Sequence, residues 1–113
     1  MPAAIRDYAV RHVSLFCENR IPLDARAEVR LEHSVRGDTI TIVERRPPWS
    51  KLMGPEWTGM KIAQLRYDER SGTWSLYAAD SAHRWFLYDA DPAPDVGPLL
   101  AEIGEDPTGI FWG

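Results

Sequence analysis

The stretch Asp38-Thr39-Ile40-Thr41-Ile42-Val43-Glu44-Arg45-Arg46-Pro47-Pro48-Trp49 decides the fold. β-Branched residues dominate its first half, as a pleated and half-buried strand prefers. Ile40, Ile42, Glu44 and Arg46 recur at every second position and so share one face. Pro47 and Pro48 then remove two consecutive backbone donors, which ends the strand near Arg46.

On the N-terminal side, residues 26–34 alternate in the same way, with Val29 and Leu31 opposed to Glu28, Arg30 and Glu32. Val35-Arg36-Gly37-Asp38 reads as the hairpin connection, Gly37 supplying a positive φ. Further back, Ile5, Tyr8, Ala9, His12, Val13, Phe16 and Cys17 form the apolar stripe of an amphipathic helix over 3–20, ended by Pro22.

On the C-terminal side, Trp49 to Gly59 reads as an ordered excursion rich in Pro, Gly and Trp. Three short strands follow, near 61–68, 73–79 and 84–88, separated by Glu69-Arg70-Ser71-Gly72 and Asp80-Ser81-Ala82-His83. Asp91-Pro92-Ala93-Pro94 breaks the pattern, Asp95 caps a helix from Val96 to Ile103, and Gly104 stops it. Ile110, Phe111 and Trp112 form an apolar hook expected to dock onto the domain or onto a second copy. The expectation is an α+β fold: an N-terminal helix, a five-stranded antiparallel meander, and a short C-terminal helix with the hook, the helices covering one sheet face.

The 113 residues suit one domain, with 44% hydrophobic and 27% charged residues arguing for a globular chain. No apolar run is long enough to span a membrane, the first residues lack the pattern of a secretory signal, and Cys17 stands alone. A cytoplasmic setting is the expectation. The net charge of −4 is uneven: Lys and Arg outnumber Asp and Glu over residues 1–51, and the reverse holds over 52–113. A basic surface therefore requires Arg26, Arg30, Arg36, Arg45 and Arg46 to gather on one side.

Several motifs together resemble a known family. They are Glu44 to Trp49, Glu56-Trp57-Thr58, Ala63-Gln64-Leu65-Arg66-Tyr67, Trp74-Ser75-Leu76-Tyr77, Trp85 with Tyr88, and Asp106-Pro107 through Phe111-Trp112-Gly113. The chain is similar to a family of small bacterial proteins known only as a domain of unknown function, whose members share the opening helix, the ERRPPW run and a terminal FWG. The likeness covers nearly the whole chain and implies the fold boundaries and a cytoplasmic bacterial setting, but no reaction. An aromatic often follows the WxLY unit in that family, where this chain has Ala78.

No residue is assigned a catalytic role, since the sequence shows neither a cleft nor a further polar group beside the candidate pair of Glu44 and Arg66; the phosphate-binding glycine motifs are absent, so nucleotide-driven chemistry is not expected and no cofactor is assigned. Arg45, Arg46, Trp49 and Trp57 form the expected partner-binding surface, since Arg, Trp and Pro together make a preorganised contact patch. The partner is a protein or a single-stranded nucleic acid. Strand parity places Ile62, Gln64 and Arg66 on the face of Ile40, Ile42 and Glu44, which predicts a structural ion pair between Glu44 and Arg66. Trp74 and Trp85, with Tyr67, Tyr77 and Tyr88, are read as core before base-stacking platform. His12, His33 and His83 lack ligand spacing, so no metal site is assigned. An alternative reading is a metal-dependent nuclease or phosphodiesterase using turn carboxylates such as Asp68 and Asp80. A second alternative is a small structural subunit of a larger assembly, and a homodimer is plausible through edge strands and the hook.

Overall fold

The structure, a computed structural model, describes residues 1–50, 52 and 54–113. Lys51 and Met53, within the expected excursion over 49–59, lie outside the described residues. Five strands pair antiparallel in sequence order: β1 (Arg30–Arg36), β2 (Thr39–Arg46), β3 (Thr58–Asp68), β4 (Thr73–Ala79) and β5 (Trp85–Leu87). Two α-helices accompany them, α1 (Ala3–Arg20) and α2 (Gly97–Glu105). The α+β expectation therefore holds.

Both helices contribute to the same core. Ala9, Val13 and Cys17 of α1 and Leu99, Leu100 and Ile103 of α2 join Ile40, Ile42, Leu65, Trp74, Leu76 and Ala78 of the sheet. At roughly 1.5–3 kcal/mol for each large buried side chain, this one-sided burial is the main force holding helices to sheet. Ala78, where an aromatic was expected in the family pattern, is fully buried and faces the helices.

Local chemistry moves several boundaries. β1 begins at Arg30 because Leu23–Ala25 forms a 3-10 turn after Pro22, and Val29 still donates its N–H to the Ala25 carbonyl at 3.0 Å. The β1–β2 turn shrinks to Gly37 and Asp38, with Gly37 at φ 59°. β3 starts earlier than the sequence suggests, since Thr58 already pairs with Arg46. α2 runs past Gly104 to Glu105, and its C-cap Asp106 takes the left-handed conformation at φ 46°. Asp tolerates that conformation better than most residues. Gly104 instead lies where α2 meets α1, a Cβ there falling 3.6 Å from Phe16 Cε2.

One irregularity decides which side chains share a face. Ile42 pairs with Ala63 but Val43 pairs with Lys61, so Ile62 is an extra residue on β3. Such a bulge interrupts alternation. Ile62 and Ala63 are both buried, and from there Leu65 faces the core while Gln64 and Arg66 face the other way. The expected common face of Ile62, Gln64 and Arg66 is thereby corrected.

Candidate functional site

The sheet face opposite the helices has no buried residue among those described. It carries Arg30, Arg36, Arg45, Lys61 and Arg66 against only Glu32 and Asp68, so a chain of net charge −4 presents one cationic sheet face. Interleaved with these cations are aromatic rings. The Arg66 guanidinium lies over Tyr77 with Cζ 3.7 Å from the ring centroid, Arg30 over Trp57 at 4.1 Å, and the Lys61 ammonium near Trp85 at 5.5 Å.

Hydrogen bonds hold these groups in place. Gln64 Nε2 donates to Thr41 Oγ1 at 3.0 Å, and Gln64 Oε1 accepts from Arg66 Nε at 2.7 Å. This line runs from β2 across β3 and delivers the guanidinium to Tyr77 on β4. Lys61 donates to the His83 carbonyl at 2.9 Å, and Arg45 Nε donates to Glu32 Oε2 at 2.8 Å. Gly59 leaves room for the Arg45 head, since a Cβ there would sit 2.8 Å from Arg45 Nη1 and 3.3 Å from Val43 Cγ1. The surface is thus partly pre-ordered, and among the described residues no hydrogen bond occupies the Nη groups of Arg66.

The model of the family described as "Domain of unknown function (DUF3024)" matches residues 1–113. The chain belongs to the DUF3024 family. No curated protein and no solved structure matches it.

In this DUF3024 chain the residues expected to form one partner surface are split. Arg45 and Arg46 are neighbours on a strand and point to opposite faces. Arg45 joins the cationic face, while Arg46 Nε bonds Glu44 Oε1 at 2.9 Å. Trp57 reaches the cationic face through Arg30, whereas Trp49 stands 86% exposed.

The Glu44–Arg66 ion pair does not form. Glu44 lies opposite Met60 and Arg66 opposite Thr39, at the two ends of the β2–β3 ladder, and the bulge puts them on different faces. Arg46 and Gln64 take their places as partners.

The aromatics also divide. Trp74 and Tyr67 form a cross-strand pair on the helix side, 5.1 Å between centroids, with Trp74 buried. Trp85 and Tyr77 lie on the open face. Sequence parity alone separates Trp74 from Tyr77, but it does not say which face is covered.

Asp68 and Asp80 are not brought together. Asp68 pairs with Thr73 at one end of β4 and Asp80 follows Ala79 at the other, about 20 Å apart along an extended strand. Each organises its own turn. Asp68 Oδ1 accepts the Arg70 N–H at 2.9 Å, and Asp80 Oδ1 accepts those of Arg84 and Ala82 at 2.9 Å. The backbone N–H of Arg84, then that of Ala82, holds the Asp80 carboxyl below its ordinary range. Among the described residues no three His, Cys, Asp or Glu side chains converge on a common point.

The C-terminal hook docks on its own chain. Phe111 is buried against Tyr88 at 5.0 Å, and Trp112 Nε1 donates to the Ile103 carbonyl at 2.7 Å. Arg20 of α1 lies over the Trp112 ring at 4.4 Å and donates to the Gly104 carbonyl at 3.2 Å.

Proposed function

We propose that this chain is a non-enzymatic binding module that takes single-stranded nucleic acid on its uncovered sheet face. The observation that carries the reading is the alternation of cations and rings there: Arg66 with Tyr77, Lys61 with Trp85, and Arg30 with Trp57. Cations neutralise phosphates, while rings and guanidinium planes accept unstacked bases, worth roughly 1–3 kcal/mol per base. Duplex DNA hides its base faces, so a flat ring-bearing sheet favours single strands.

The test is fluorescence anisotropy with a labelled single strand of about twelve nucleotides and with its duplex, within the usual site sizes for such surfaces. The single strand should bind preferentially, and Arg66→Ala and Tyr77→Leu should each weaken it about tenfold. Absence of binding at low salt, or binding that ignores both substitutions, would sink the reading.

A second reading, a protein partner held by the Arg46–Trp49 corner, is favoured by the exposure of Trp49 beside two prolines. Exposed tryptophan and arginine are common anchors of protein interfaces. Trp49→Ala and Arg46→Ala would then abolish a protein interaction while leaving oligonucleotide binding intact.

A further inference from the structure

A second candidate site lies on the helix side of the sheet, remote from the cationic face. Beyond β5 the chain, α2 and the hook border an open cleft of about 440 Å³ lined by Phe86, Tyr88, Asp89, Glu102, Pro107 and Ile110 among others. That volume suits a small organic ligand. Its chemistry is the inverse of the open face: two carboxylates, two aromatic rings, and no Lys or Arg in the lining.

Two features preorganise the cleft. The hydroxyl of Tyr88, a residue largely buried as a whole, donates to Glu102 Oε1 at 2.9 Å, tying the segment after β5 to α2 and fixing that carboxylate. The Tyr88 ring is in turn backed by Phe111 of the docked hook. Phe86 and Ile110 remain 40% and 38% exposed at the rim, leaving apolar surface beside the carboxylates.

We propose that this cleft binds a small alkylated ammonium cation, its charge facing Glu102 and Asp89 and its alkyl groups against Phe86, Pro107 and Ile110. A ring quadrupole attracts a cation at its face, and an alkylated head sheds water far more readily than a metal ion does. Hard divalent cations want six or more oxygens in a close shell, which this half-apolar lining does not offer. An anion would meet two like charges with no compensating cation.

The experiment is an amide-resolved NMR titration of the intact protein with choline and, separately, with 3,3-dimethylbutan-1-ol, its uncharged isostere. Choline should give saturable shifts at Phe86, Tyr88, Asp89 and Glu102, and the neutral isostere should bind about tenfold more weakly, the scale of a partly desolvated cation–π and ion-pair contribution. Asp89→Asn, at an exposed position, should weaken choline about threefold. Phe86→Leu should weaken choline but spare the isostere, because it removes the ring while keeping apolar bulk. Phe86 and Asp89 are both exposed and neither takes part in the Tyr88–Glu102 bond, so both variants should fold. Equal binding of the two probes would show an unselective apolar slot and overturn the proposal, as would choline binding indifferent to both substitutions or no shifts at all. None of these outcomes depends on the oligonucleotide experiment, which reads the opposite face.

Discussion

Arg66 and Tyr77 meet across β3 and β4 on the uncovered face, the guanidinium carbon 3.7 Å from the ring centroid and its Nε tethered to Gln64. Partly shielded cation–π contacts of this kind are worth about 0.5–2 kcal/mol. A double-mutant cycle with Arg66→Ala and Tyr77→Leu, followed by urea unfolding, should return a coupling energy of about 1 kcal/mol. A coupling near zero would mean the two groups sit together without holding one another.

Gly59 is required by the head of Arg45. In Gly59→Ala the new methyl must displace either Nη1 or the Val43 methyl, and the end of a long side chain yields first. Stability should therefore change by less than about 1 kcal/mol, while the Arg45–Glu32 bond is lost. The Arg45 Nε–H resonance reports this directly: an unchanged chemical shift in the variant would contradict the prediction.

Asp106 closes the C-terminus with one carboxylate, Oδ1 accepting from Phe111 N at 3.1 Å and Oδ2 from Trp112 N at 2.9 Å, on a left-handed backbone. Asp106→Ala loses both bonds and gains strain, which should cost about 2–4 kcal/mol. Asp106→Asn keeps one acceptor and the backbone preference, and should cost about half as much. Denaturant unfolding gives the energies, and near-ultraviolet dichroism should lose the Trp112 contribution first.

Gly104 sits within the last turn of α2 with ordinary contact distance to Phe16. Gly104→Ala should stabilise the protein by about 0.5–1 kcal/mol, because alanine loses less backbone freedom on folding and fits the space. A lower melting temperature would show that the α1–α2 approach is tighter than this spacing indicates.

Burial pushes the Cys17 thiol up from its ordinary 9.0 to about 11, and the nearby Glu18 charge adds to the effect. The native thiol should resist Ellman's reagent at pH 8 and react fully once unfolded. The raised folded value means that both states are protonated well below pH 9, so the group contributes no pH dependence there. Between about 9 and 11 the unfolded thiol ionises first, and the native state loses stability as pH rises. Cys17→Ala should abolish that component of the alkaline loss.

Much of this architecture was legible in local chemistry. The alternation of Thr39 to Arg46, the Pro47-Pro48 stop and the Gly37 turn act within a few residues of themselves, and the apolar stripe of α1 needs only a 3.6-residue period to be read. Legibility failed where two signals competed. Gly104 was a plausible helix stop, yet α2 continues to Glu105 because the carboxylate of the capping Asp106 also satisfies two donors of the hook, five and six residues further on.

What the sequence by itself determined is the set of strands, the helices and their order, since periodicity, proline and turn chemistry are properties of short segments. The tertiary structure alone decided which aromatics are core and which are surface, and where the charges gather. The Ile62 bulge is the physical reason on β3: one extra residue turned Gln64 and Arg66 away from the helices, put Arg66 and Glu44 on opposite faces, and set Arg66 against Tyr77. No local pattern encodes that bulge, because it is the packing of Ile62 and Ala63 together in one core that stabilises it.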